Sequence, residues 1–413
     1  MILQRRRTLH KNGPALPPVV SGVSLIASLP TLLSKGLPAV IQGLHKKLGS
    51  VFTISFLGLK KVTFLIGPDV TAHFFQAPES EISAADAYKF TVPIFGRGVV
   101  FDADLITRSK QISLCLDVIK PMNLRSHVDS MVHEVEGYFA QWGQHGVCDL
   151  THEMEHVILL ITNRCLLGKQ IRENMFEEVA TLIDELFKNG LNLIALFFPY
   201  LPIKPHRQRD RARARLGEII HDTGFVDATY IDGRTMSESE IAGLLVSMVF
   251  AGQHTSSNAS TWTGACLLRQ GASSNTNDYL AAAIDEQKRI MERHGEHLDY
   301  GILQEMVTLH CCIKEALRMH PPATLLIRHA RKGFNVQTRE GNMYGIPKGH
   351  TLAICTTVSN KLPYIYKDPD VYDPSRFGPG REETKLVANS RTLPLVLGGM
   401  SAWGRTMPTC RSR

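Results

Sequence analysis

"SESEIAGLLVSMVFAGQHTSSNASTWTGACLL", residues 237–268, holds no proline and stays apolar on most helical faces. At about 1.5 Å per residue such a run gives a helix of about 48 Å, long enough to cross a whole domain. Ser237 and Glu240 stand at capping-box spacing and mark its start. A helix apolar on most faces is expected to be buried. Yet its middle carries Ala251, Gly252, Gln253, His254, Thr255 and Ser256, where polar groups buried without partners would cost about 1–3 kcal/mol each. Something must satisfy them. Taken alone, internal hydrogen bonding suffices: Thr and Ser hydroxyls bond back to helix carbonyls and His254 pairs in the core.

Outward from this helix, residues 122–320 keep helical periodicity, as in "MVHEVEGYFAQW", "HEMEHVILLITNRCLLG" and "NMFEEVATLIDELFKNG". Before them, "SVFTISFLGLKKVTFLIG" (50–67) reads as a β-hairpin turning at Gly58–Lys61. After Pro321, "FNVQTREGNMYGIPKGHTLAI" reads as short strands with turns at Glu340-Gly341 and Lys348-Gly349. The expected fold class is mainly α with small β sheets (α+β), in one compact body, since no Pro/Ser-rich or charge-block linker divides the chain. Three segments are expected: 1–45, basic and Pro-rich; 46–397, the folded domain; and 398–413, a divergent tail.

Composition narrows the function classes. With 44% hydrophobic and 21% charged residues, the chain has globular rather than disordered composition. The formal net charge of +7 is concentrated in "QRRR" and "KPHRQRDRARAR" (204–215), a solvated basic face or a patch for an anionic membrane or an electron-donor protein. Nucleic acid is not an expected partner. Eight scattered cysteines without CxxC spacing exclude a disulfide framework and a structural zinc site. The apolar stretch 19–44 is cut by Pro30 and Pro38 below the about 20 residues a spanning helix needs, so peripheral membrane contact is expected and a transmembrane anchor is not.

Two further segments gain meaning from their order. In "HCCIKEALRMHPPATLLIRHARK" (310–332), Glu315 and Arg318 lie three apart on one helix face, which Pro321-Pro322 terminates. In "YKDPDVYDPSRFGPGRE" (366–382), Arg376 sits in a Pro-rich loop. Each is weak alone. A long helix with a small-residue and Thr centre, then an ExxR helix closed by HPP, then a DPxRF loop, resembles the cytochrome P-450 haem-thiolate monooxygenases. "YKFTVPIFGRGVVFD" (88–102) with "AGQHTSS" resembles their sterol 14α-demethylase branch. "GSVFTISFLGLKKVTFLIGPDVTAHFF" and "WTGA" are similar to its plant obtusifoliol 14α-demethylase members.

The resemblance implies a haem cofactor, a sterol substrate, and oxidative loss of the 14α-methyl group as formate, driven by O2 and by NADPH electrons from NADPH-cytochrome P-450 reductase. It implies location on the cytosolic face of the endoplasmic reticulum membrane. It places Tyr88, Phe90, Phe95 and Ala251 in the sterol pocket, and His254 and Thr255 at the dioxygen, relaying protons. It puts Tyr88, Arg108 and Arg328 on the haem propionates, while Phe101 stands where several relatives carry a second propionate-binding tyrosine. Glu315, Arg318 and Arg376 would form a buried structural triad. Core packing alone explains the aromatics about as well.

Three departures stand against the family pattern. In "LPLVLGGMSAWGRTMPTCRSR" (393–413) the glycines resemble the start of the haem-ligand signature, but no cysteine follows at the required place, and Cys410 comes too late. A stretch of helix is missing between Asp222 and Asp232, and "RQGASSNTNDYL" (269–280) carries a Gly/Ser/Asn insertion. Together they read as a truncated or mis-spliced product. A non-catalytic sterol-binding remnant and a chain that does not fold are therefore the alternatives to a monooxygenase.

Overall fold

The computed structural model describes residues 14–21, 27–56, 60–118, 120–224, 228–230, 232–271, 278–381 and 383. The chain packs as two compact units interleaved in sequence. One combines the residues up to Ala87 with those from Lys314 onward, and the other is Tyr88–Ile313.

The first unit is built on a six-stranded mixed sheet. Its strands are β1 (Val19–Ser21), β2 (Val51–Phe56), β3 (Lys60–Leu65), β4 (Ile82–Ser83), β5 (Leu325–Ala330) and β8 (Thr351–Cys355), in the order β1-β2-β3-β8-β5-β4. A separate hairpin pairs β6 (Phe334–Gln337) with β7 (Met343–Ile346). The β2–β3 hairpin arises from β-branched and aromatic residues at alternate positions, and Phe52 stacks on its cross-strand partner Phe64 at 5.4 Å. Strand β3 begins at Lys60, so Lys60 and Lys61 of the expected Gly58–Lys61 turn are strand residues, while Gly58 and Leu59 lie outside the described residues. Because side chains alternate across a strand, the two faces fill different cores. Val51, Leu65, Leu352 and Ile354 pack with Val70 and Phe74 of α2 (Pro68–Gln76). Phe52, Phe64, Ala353 and Cys355 pack with Ile41 of α1 (Leu29–Leu48).

Helix α1 corrects one expectation. Pro30 lies in its first turn, where a missing N–H is harmless, and so opens the helix instead of cutting it. The interruption comes at Gly36, whose φ of 75° is open to glycine, with Pro38 resuming the helix beyond. No helix among the described residues is long and apolar enough to cross a membrane.

The second unit is helical: α3 (Leu105–Val118), α4 (Pro121–Phe139), α5 (Leu150–Thr162), α6 (Phe176–Gly190), α7 (Lys204–Asp222), α8 (Glu238–Gly271) and α9 (Tyr279–His294). Helix α10 (Val307–Met319) follows, its first-turn amides Thr308 and Leu309 donating to buried Glu286 of α9 at 2.7 and 3.0 Å. The long helix forms as its sequence dictates. Ser237 N–H donates to Glu240 Oε2 at 2.9 Å and Glu240 N–H donates to Ser237 Oγ at 3.3 Å, closing the capping box. Gly243 lets α8 approach the short helix Val92–Phe95, because a Cβ there would lie 2.1 Å from the Phe95 carbonyl oxygen. The helical run expected through residue 168 leaves α-geometry in one π-turn, Asn163–Leu167. There Arg164 turns to buried Glu134 of α4 (2.7 Å), which also accepts from Arg172 (2.7 Å).

Candidate functional site

The centre of α8 divides the expectations. Thr255 Oγ1 donates to the Ala251 carbonyl at 2.6 Å, and Ser257 Oγ to the His254 carbonyl at 3.3 Å, so both hydroxyls bond back to the helix. His254 is exposed rather than paired in a core, because this part of α8 turns one face out of the packed interior. Its ring lies parallel to Phe250 at 6.0 Å, one helical turn earlier. Phe250 in turn meets Phe95 at 5.9 Å and Phe187 of α6 at 4.8 Å. A run of aromatic rings thus connects buried Phe95 to His254. Phe250 and Phe187 were not singled out in the sequence, where each looks like an ordinary apolar helical residue. Alongside, Gln253 Oε1, Asn258 Oδ1 and Thr261 Oγ1 are buried without hydrogen-bond partners.

The segment before α3 gathers the second set. Tyr88 stacks on Phe101 at 4.7 Å and tilts against Phe90 at 6.1 Å. Val100 holds φ at 47°, a strained value for a β-branched residue. Two side chains of α3 fix it there. Gln111, fully buried, accepts from the Val100 N–H at 2.7 Å, and Arg108 Nε donates to the Val100 carbonyl at 2.8 Å. Arg108 also donates to the Ala103 carbonyl at 3.1 Å, so its guanidinium shapes the loop that bears Phe101. Gln111 further donates to the Gly98 carbonyl (2.8 Å) and the Tyr230 hydroxyl (3.1 Å). Tyr230 donates to Glu240 at 3.2 Å, and Arg234 pairs with Glu240 at 2.8 Å. Burial pulls Glu240 upward, but hydrogen bonds from Arg234 and Ser237 outweigh it and hold the carboxyl below its ordinary value. This network ties the Val100 loop to the start of α8 through the short bridge at Thr229 and Thr235.

In the first unit, Glu315, Arg318 and Arg376 are all buried. Arg318 grips Glu315 with two parallel bonds, Nε at 2.7 Å and Nη2 at 2.8 Å. Arg376 Nε reaches Glu315 at 3.3 Å, and the Asp373 N–H donates to the same carboxylate at 3.0 Å. The Arg318 guanidinium also donates to the Asn360 carbonyl (2.9 Å) and lies over the Tyr366 ring at 5.1 Å. A fourth charge completes the cluster. Glu383 accepts from Arg376 at 3.0 Å, balancing two guanidiniums with two carboxylates. No spacing rule pointed to Glu383, which reaches Arg376 only because the chain turns back at Gly378–Gly380. Arg328, on β5, is buried with its guanidinium over Phe74 at 5.2 Å.

The fold and these side chains define a class. A cytochrome P-450 family model matches residues 17–224 and 221–394, and the chain belongs to that family. The two matched segments meet where the sequence reading places the missing helix. Among relatives, the chain is 46% identical over 388 residues to obtusifoliol 14-alpha demethylase of Sorghum bicolor (90% of this chain, 77% of that protein). It is equally 46% identical over 399 residues to sterol 14-demethylase of Arabidopsis thaliana (93% and 79%). Identity to human lanosterol 14-alpha demethylase is 31% over 355 residues (82% and 67%). The solved structure of retinoic acid-bound cyanobacterial CYP120A1 superposes with a TM-score of 0.71 at 20% identity, covering 94% of this chain and 92% of that one, which shows a shared fold.

Haem is the cofactor of this family, and the described residues answer to it unequally. The buried, unpartnered polar atoms of α8 and the aromatic run beside His254 suit the wall of a ligand pocket. Burial pushes the thiols of Cys115, Cys165 and Cys355 up to about 11, the behaviour of cysteines packed in a core. Cys410, with the rest of the 398–413 tail, lies outside the described residues, as do residues 272–277 of the expected insertion. The segment in which the family pattern places the axial ligand is thus not among the described residues.

Proposed function

We propose that this chain acts in sterol 14-demethylation, the oxidative removal of the 14α-methyl group of a plant sterol of the obtusifoliol kind. The observation that carries this reading is the 46% identity, over nine-tenths of the chain, to proteins named for that reaction. When bound, haem supplies the oxidation, using O2 and electrons from a redox partner, here NADPH-cytochrome P-450 reductase. The chain's own residues supply the pocket. Tyr88, Phe90, Phe95 and Ala251 offer flat apolar surface to a rigid, nearly apolar ring system, for which aromatic walls are well matched. Thr255 and exposed His254 stand one residue apart on α8 and carry protons toward the oxygen side of the reaction. Tyr88, Arg108 and Arg328 would hold the haem propionates, and Glu315, Arg318 and Arg376 fasten the ExxR helix to the loop that bears Arg376.

Residues 46–397 make up the catalytic domain in this reading, and 398–413 a divergent tail. The protein lies at the cytosolic face of the endoplasmic reticulum membrane, its basic segments giving peripheral, salt-sensitive attachment.

The haem-ligand signature that the sequence 393–413 does not complete favours a second reading, sterol binding without turnover. One reconstitution separates the two. The chain is incubated with haem, a 4α,14α-methylated sterol, reductase and NADPH, and three quantities are followed: sterol binding, the reduced carbon monoxide spectrum and formate. Formate with a thiolate-type Soret band is the result expected of the demethylase. Saturable sterol binding without either supports the binder, and absence of sterol binding overturns both.

A further inference from the structure

Helix α5 carries Thr151-His152-Glu153-Met154-Glu155-His156 directly after its first residue, Leu150, so two imidazoles lie four residues apart on one helical face. Their ring centroids are 6.3 Å apart. His156 is half-buried and held on both sides: it stacks on Tyr138 of α4 at 5.3 Å and meets the edge of Phe176 of α6 at 5.6 Å. His152 is exposed and free to rotate. Neither imidazole makes a hydrogen bond among the described residues; only the His152 backbone N–H does, to the cap residue Asp149. The Tyr138 hydroxyl donates to Glu153, which fixes that carboxylate beside the pair.

We propose that His152 and His156 form a chelating site for a divalent transition-metal ion, zinc being the ion tested, with water in the remaining positions. Two neutral imidazoles at i and i+4 suit such ions. With metal–nitrogen bonds of about 2.0–2.1 Å, rings sharing one tetrahedral ion have centroids about 5 Å apart. Rotation of the exposed His152 closes the difference of about 1 Å, while the aromatic clamp keeps His156 in place. The N-terminal end of a helix repels cations, but Asp149, Glu153 and Glu155 all lie within this first stretch and reverse the local charge. The spacing is also that of the H-E-x-x-H metallopeptidase motif. Here Glu153 is engaged by Tyr138 and a third protein ligand is absent among the described residues, so the site binds an ion without the parts for hydrolysis.

The test is calorimetric titration of the full, metal-stripped chain with zinc chloride. One saturable zinc equivalent is expected, weakened at least tenfold by His152→Ala and likewise by His156→Phe, which keeps the aromatic packing. His297→Ala, at an exposed histidine elsewhere, should leave the affinity unchanged. Equal zinc affinity in wild type, His152→Ala and His156→Phe would overturn the proposal, as would a wild-type chain that takes up no zinc.

Discussion

Removing the Glu315 carboxylate would leave two buried guanidiniums facing each other with only Glu383 to answer them. Glu315→Ala should therefore cost about 3–5 kcal/mol, the range for stranding a buried charge. Glu383→Gln keeps a hydrogen-bonding group in a less buried place and should cost clearly less. Urea unfolding of the two variants checks this, and equal losses would show that Glu315 is not the hub. Thr255 makes the opposite case. Its hydroxyl satisfies only a carbonyl of its own helix, so Thr255→Val should change stability by less than about 1 kcal/mol. A large drop in melting temperature would mean that the hydroxyl has a structural duty.

Between elements, the Val100 loop is held by one side chain more than any other. Gln111 serves an N–H, a carbonyl and a hydroxyl at once, and Gln111→Leu leaves all three without it. The expected loss is about 1–3 kcal/mol, with faster hydrogen exchange at the Val100 amide as the local sign. The contact of α8 with the Val92–Phe95 helix depends on an absence of side chain. Gly243→Ala would force the Phe95 carbonyl away and disturb the run Phe95–Phe250–His254. Reduced sterol affinity in a still folded Gly243→Ala protein is the expected result; unchanged affinity and stability would show that the helices can separate at no cost.

For the molecule as a whole, pH acts through groups folding has shifted. His320 is pushed down to about 4, first by burial and then by the charges of Lys361 and Arg318. The unfolded chain takes up a proton near 6.5 that the folded chain refuses until about 4, so stability is full above pH 6.5 and is lost as pH falls through this window. Glu134 and Glu240, both held below their ordinary values by arginine partners despite burial, add to the loss at the acid end. Denaturant midpoints should fall steadily from pH 7 to pH 4.5, and His320→Asn should flatten the upper part of that slope. A midpoint independent of pH would remove His320 from this account.

Local chemistry in the sequence was enough to specify the long helix, its Ser237–Glu240 cap, the β2–β3 hairpin and the ExxR pair, because each depends on residues only a few positions apart. The order of these elements along the chain carried the family. What only the tertiary structure decided depends on contacts across many residues. Glu383 joins the triad, Gln111 meets Tyr230, and α8 turns His254 outward beside Phe250 instead of into a core. Periodicity records which faces of a helix are apolar, but not which distant element covers them, and a side chain's partner is set only when the chain has folded.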